Sequence, residues 1–211
     1  MAGDNTNADP ADDQGVVSAV HTAAGALDAV QFVLLAVAVL AVTGEYATGT
    51  IRATLQWTPA RHRVLIAKAL VAVAVLAPAG IVLQAGGTAV AAVMLGRWGR
   101  LDAGEAVAGA LAAGAYLASA GVLMTGVAAV LRSTAATLTS AFVGLAVLPM
   151  LLSAGHGPMR RVADALPSTA GRHLMHGDAH PYPPAVALLI VAAWAAAGLA
   201  AGITVLHRRD A

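Results

Sequence analysis

The chain contains no cysteine, few aromatic residues (4%) and few charges (11%). Without cysteine there is no disulfide scaffold, no thiolate metal site and no cysteine nucleophile. An 11% charge content, against about 25% in soluble domains, argues against a soluble enzyme and a disordered segment. Twelve basic residues against eleven acidic ones leave a net charge of +1. No basic field is present to attract phosphates, so a nucleic-acid partner is not expected. What is present instead is apolar: 59% hydrophobic residues before the 22 glycines are counted, with alanine making up about a quarter of the 211 residues. That composition points to a small polytopic membrane protein.

The gaps between the charges locate the spans. Residues 69–96, 106–131, 133–159 and 179–207 carry no Asp, Glu, Lys or Arg. A bilayer-crossing helix needs about 20 apolar residues, and each gap can hold one. A fifth span lies over 23–43, interrupted near its start by Asp28 and Gln31. The expected fold is an all-α polytopic membrane protein: a polar external tail (1–22) and one transmembrane domain (23–211). Its spans are expected at 23–43, 65–90, 106–131, 135–153 and 184–206. Alternating ten-residue segments, the mark of an outer-membrane barrel, are missing. Pro78 and Gly86-Gly87 are the expected break points of the second span, because proline removes a helical hydrogen bond. Only Arg132-Ser133-Thr134 separates the third and fourth spans, which implies a tight helical hairpin. Ala110, Gly114 and Ala118, and Gly198 and Gly202, have the spacing of small-residue helix contacts.

Lysine and arginine placement sets the expected orientation. Arg52, Arg61, Arg63, Lys68, Arg132, Arg208 and Arg209 fall on one side; Arg97, Arg100, Arg160, Arg161 and Arg172 fall on the other. The first group occupies shorter loops, so the N-terminus is expected outside and the C-terminus in the cytoplasm. The acidic N-terminal stretch does not read as a signal peptide.

The loop 44–64 is the least generic segment. Thr50 can cap a short helix, Ile51 and Leu55 share a face four residues apart, and Pro59 ends it. Trp57 and the basic run Arg61-His62-Arg63 follow or flank it. Two readings stand: an interfacial helix lying on lipid headgroups, or a docking helix for a cytoplasmic partner.

The pattern Glu45, Gly49-Thr50-Ile51-Arg52, Thr54-Leu55, Pro59, Arg61 and Lys68 resembles permease subunits of ABC-2-type transporters. Leu131-Arg132-Ser133-Thr134, Leu166-Pro167-Ser168-Thr169-Ala170-Gly171-Arg172 and Arg208-Arg209-Asp210-Ala211 are further similarities. The resemblance runs from about residue 25 to the end, and it tips the loop toward the docking reading. It implies a membrane-spanning subunit without covalent chemistry of its own, in a bacterial plasma membrane. The partners would be a second copy or a sister permease and a separate ABC ATPase, which holds ATP and magnesium. The absence of a Gly-x4-Gly-Lys-[Ser/Thr] motif agrees with that division. Glu45, Thr50, Ile51, Arg52, Leu55, Pro59, Arg61, Arg63 and Lys68 would couple the subunit to the ATPase. Ile51 and Leu55 would pack in its cleft, and Glu45 would fix the junction by an ion pair to an arginine. The family has six spans. This chain resembles one whose first span is missing, through truncation, a mis-started frame or genuine shortening.

Asp28, Gln31 and Gln84 are the candidate pathway or helix-contact residues, since intramembrane polar groups are functional candidates. Gln84 is expected to make a helix–helix hydrogen bond. His173, His176 and His180 have roughly metal-ligand spacing; Pro181, Pro183 and Pro184 favour a solvated loop over 154–183, and no bound metal is expected. No serine–histidine–acid triad or paired carboxylates are placed for catalysis; Ser153, His156 and Asp164 share only a loop. Two other function classes compete with the permease: a structural or assembly membrane protein, including a degenerate permease, and an intramembrane enzyme using Asp28 and the histidine-rich loop.

Overall fold

In the computed structural model, residues 17–47, 61–177 and 179–208 are described. After a two-residue strand β1 (Val17–Ser18) the chain forms α1 (Ala19–Ala47), α2 (Arg61–Leu95) and a 3-10 turn (Gly96–Trp98). Strand β2 (Gly99–Arg100) pairs in parallel with β1. Then follow α3 (Ala103–Leu131), α4 (Thr134–Phe142), a π-helical segment (Val143–Val147) and α5 (Leu148–Ser153). Helices α6 (Pro158–Asp164), α7 (Pro167–His176) and α8 (Pro184–Arg208) complete the chain. Five continuous helical segments are long and apolar enough to cross a membrane: 19–45, 62–98, 103–131, 134–153 and 184–208. The fold is an all-α polytopic bundle.

Helix α3 is the hub. Two thirds (67%) of an 18-residue apolar stretch of it is buried, against 22–33% for the equivalent stretches of the other four spans. Eleven of its sixteen buried residues are glycine or alanine. Many large apolar side chains of the other spans point outward: Val33, Leu70, Val82, Val93 and Met94 are all more than 60% exposed. This inside-out pattern follows from the solvent. Lipid tails are as apolar as leucine, so helix association comes from close backbone approach rather than hydrophobic burial. Both small-residue stripes read from the sequence are contacts. A Cβ on Gly114 would meet Ile81 and the Ala77 carbonyl of α2, and one on Gly202 would meet the Gly126 carbonyl of α3. On α8 the buried residues Ala187, Val191, Ala195, Gly198, Gly202 and Leu206 make one stripe facing α3.

Two expectations are corrected. Helix α2 runs unbroken through Pro78 and Gly86-Gly87 for 35 residues; at 1.5 Å per residue that is about 52 Å, longer than a hydrocarbon core of about 30 Å. Pro78 lies on an exposed position, while Gly80 two residues on is locked against Ala113 and Gly114. Packing on both sides of the proline overrides its tendency to break. The break occurs instead in the fourth span. There the π segment precedes Pro149, and the Leu148 amide donates to the carbonyl of Val143, five residues back. A π turn takes up the geometry that a proline denies to the regular ladder.

The region 154–183 is not a solvated loop. It holds α6 and α7, and Pro167, Ser168, Ala170, Gly171 and Met175 of α7 are buried. Prolines mark helix starts here: Pro158 and Pro167 occupy the first turns of α6 and α7, where a missing N–H costs nothing. Two pins hold the α6–α7 turn: Tyr182 donates to the Asp164 carbonyl and the Trp194 indole to the Ala165 carbonyl. The 131–134 hairpin is as tight as its sequence implies. Arg132 takes left-handed geometry (φ 53°) with its amide bonded to the Ala128 carbonyl, and Ser133 caps α4.

Candidate functional site

The charged residues collect at the two ends of the bundle. One end, the junction end, carries the C-terminus of α1, the N-terminus of α2, the 131–134 hairpin and the C-terminus of α8. Thr50, Ile51, Arg52, Leu55 and Pro59 belong to the connection 48–60 and lie outside the described residues. The residues that flank it are placed. Glu45 lies in the last turn of α1, Arg61 opens α2, Arg63 is exposed in its first turn, and Lys68 follows one turn later. The Lys68 ammonium reaches across to α1, 2.8 Å from Glu45 Oε1 and donating to the Ala41 carbonyl at 2.7 Å. The ion pair of Glu45 is therefore made with a lysine of the next span, where an arginine was expected. Beside it, Thr134 of α4 donates to the Thr43 hydroxyl at 2.7 Å, and Thr43 donates to the Val39 carbonyl. Three spans are thus tied together by polar contacts within about two turns of the connection.

Around and below the Glu45–Lys68 pair, α1 and α2 leave a groove of about 430 Å³. Val37, Ala38 and Ala41 form one wall, and Val64, Ala67, Val71 and Val75 the other.

Asp28, Gln31 and Gln84 all join helices. Gln31, buried, accepts from the Tyr116 hydroxyl of α3 at 2.5 Å, and its amide donates to the Asp28 carbonyl at 2.9 Å. Gln84 donates to the Val20 carbonyl at 3.0 Å and so links α2 to α1, as expected of it. Asp28 is half-buried, with Oδ2 3.6 Å from Arg172 Nε of α7. Together these contacts link α1, α3 and α7 in a polar chain inside the bundle.

The opposite end holds His21, His173, His176 and His180, while His62 and His207 meet at the junction end with ring centroids 6.0 Å apart. Ser18 caps α1, accepting from the His21 amide, and donates to Glu105 Oε1 at 2.6 Å. The Glu105 carboxylate also lies 3.4 Å from His21 Nε2 and 3.5 Å from Arg100. The His21 ring sits 4.4 Å from that of His176. His173 meets the ring of Tyr182 edge-on, and His180 is exposed. His173, His176 and His180 therefore face different partners, and among the described residues no group of three or more metal-ligating side chains converges.

Burial and the neighbouring Asp164 push the Tyr182 phenol up to about 12. The neutral phenol donates to the Asp164 carbonyl, whereas the phenolate would lose that bond and face a carboxylate. Its stabilising contribution is full below the ordinary tyrosine value of about 10 and is lost as pH rises through 12. In an alkaline titration of tyrosinate absorbance, the component missing from Tyr182→Phe is expected to titrate near 12; a midpoint at 10 would show the contact absent.

Sequence reasoning missed Tyr116, Arg172 as the partner of Asp28, and the Ser18–His21–Glu105 cluster. Only the Asp-x-x-Glu spacing of Asp102 and Glu105 was available as a cap signal; Asp102 does accept from the Glu105 amide at 2.9 Å. Comparison of the chain with protein-family models, with curated proteins and with solved structures finds no match.

Proposed function

We propose that the chain is the membrane-spanning permease subunit of an ATP-driven exporter of the ABC-2 kind. It forms the pathway with a second copy or a sister permease and is driven by a separate ATPase, which holds ATP and magnesium, through the loop 44–64. The observation that carries this reading is the Lys68 clamp. The two helices that enter and leave the loop are joined by an ion pair and a hydrogen bond within one turn of it. A push on the loop is then delivered to α1 and α2 as one unit, as a rigid-body coupling requires. The seven basic residues assigned to that end support a cytoplasmic placement for it, with the N-terminus outside. The motif around Thr50-Ile51-Arg52 supports the identity of the partner.

Ile51→Asp and Leu55→Asp test it. Each puts a charge on the apolar face meant for the ATPase cleft. Co-purification with an ABC ATPase encoded beside this gene is expected to fall at least tenfold in both, with membrane insertion unchanged. Undiminished co-purification in both would overturn the coupling role.

A further inference from the structure

The groove between α1 and α2 has an apolar body and an ionic mouth. Its lining extends from Val64 to Leu76 on α2, a rise of about 18 Å at 1.5 Å per residue. That depth is close to half of a hydrocarbon core of about 30 Å, one leaflet. Spread over that length, the volume of about 430 Å³ leaves a cross-section of about 24 Å². A hydrocarbon chain fits such a slot; a helix about 10 Å across needs several times more. Glu45, in the last turn of α1, and Lys68, about one turn in from the Val64 end of the lining, form its ionic mouth.

The end of the bundle that holds this mouth is positive. Among the residues whose side chains are described, it carries Arg63, Lys68, Arg132 and Arg208 against one acid, Glu45. An ammonium has three donors. Lys68 directs one at Glu45 and one at the Ala41 carbonyl, which leaves a third for an acceptor at the groove. Arg63, next to the lining residue Val64, is exposed. The other sizeable groove, about 390 Å³ between α2 and α3 at the opposite end, is lined by apolar residues and Thr88 with no charged group. Arg100, next to its lining residue Leu101, is already paired with Glu105.

We propose that the α1–α2 groove holds one acyl chain of an anionic glycerophospholipid, with the phosphate at Lys68 and Arg63. Basic groups at a membrane interface select anionic headgroups, and the slot selects a single chain. The site does not rest on the transport reading, and its test uses no ATPase.

The full chain, purified in detergent, is titrated with dioleoyl phosphatidylglycerol and, separately, dioleoyl phosphatidylcholine, and the adducts are counted by native mass spectrometry. One phosphatidylglycerol is expected per chain, retained at least tenfold more tightly than phosphatidylcholine. Ala41 and Ala67 are exposed on the two walls; Ala67→Phe is expected to weaken retention about tenfold. Should circular dichroism show that variant misfolded, Ala41→Phe is read in its place. Arg63→Gln is expected to cut the preference for phosphatidylglycerol several-fold. Ala89→Phe, which fills the other groove, is expected to change nothing. Equal retention of the two lipids, or full retention in the folded groove-filling variant, would overturn the proposal. So would chain dimers in place of lipid adducts, lost on Ala67→Phe, which would give the groove to a second copy.

Discussion

Gly126→Leu is expected to prevent the bundle from assembling. A Cβ at 126 would lie 2.1 Å from the Gly198 carbonyl oxygen, 2.3 Å from its carbon and 2.7 Å from the Leu199 nitrogen. These are backbone atoms of α8, so no rotamer change relieves the clash; the whole helix must retreat. That retreat would also part Gly202 from the Gly126 carbonyl and Gly198 from Leu123, which a Cβ on either glycine would likewise strike. Overpacking ordinarily costs about 1–3 kcal/mol when side chains can adjust. Here the cost should exceed that range, a large part of a total stability of about 5–15 kcal/mol. The measurement is the folded, monodisperse fraction by size exclusion in detergent and the midpoint of unfolding in added dodecyl sulfate. Gly86→Ala is the control. A Cβ there meets nothing within 4 Å, and alanine is the better helix former by about 1 kcal/mol, so its midpoint should hold or rise. A Gly126→Leu protein with an unshifted midpoint would show that α3 and α8 do not cross at these glycines.

The positions of the spans were readable in the sequence because charge is expensive in lipid, and the uncharged gaps map onto the helices with small shifts at their ends. The hairpin at Arg132-Ser133-Thr134 was readable because three residues leave room for nothing else. The stripe Gly198–Gly202 was readable as a type of contact. Its partner Gly126 was not, since a chain that is one quarter alanine offers many equivalent stripes and only the assembled bundle chooses. Pro78 misled because its breaking tendency is local, while the contact of Gly80 with Ala113 that holds α2 straight joins residues 33 apart. In 154–183 Pro181, Pro183 and Pro184 point to a solvated loop, yet Pro158, Pro167 and Pro184 open helices, and the rule that places proline in the first turn is the signal that finds them. For the candidate site, Glu45 and Lys68 are legible as residues flanking one loop, but their ion pair is not: the sequence points to an arginine as the partner of Glu45, and only the antiparallel packing of α1 and α2 brings Lys68 to it. The bond from Tyr116 to Gln31 spans 85 residues, and nothing local announces it.

That bond carries the second large effect. Tyr116 is among the largest fully buried side chains, 1% exposed, and its ring rests on Gly171 of α7, where a Cβ would come within 2.3 Å of it. Tyr116→Ala removes the ring from between α3 and α7 and takes the donor from Gln31, so a loss of about 3–5 kcal/mol is expected, as for buried aromatic truncations. Tyr116→Phe separates the two contributions. The ring stays, Gln31 Oε1 loses its donor, and the expected cost is about 1 kcal/mol, since interhelical hydrogen bonds in membranes average about 0.6 and reach about 2. Gln31→Leu closes the cycle: with no acceptor left, Tyr116→Phe on that background should cost less than it does alone. The effect on α7 can be read separately from global stability. The chain has no cysteine, so Ser168→Cys gives a single thiol at a buried position of α7. If the Tyr116 ring is what seats α7 on the bundle, maleimide labelling of that thiol should be slow with Tyr116 or Phe at 116 and at least tenfold faster with Ala. Equal rates in all three would mean that α7 is held by its contacts with α8 and by the Trp194 and Tyr182 pins instead, and that the Tyr116–Gln31 bond serves only to join α1 to α3.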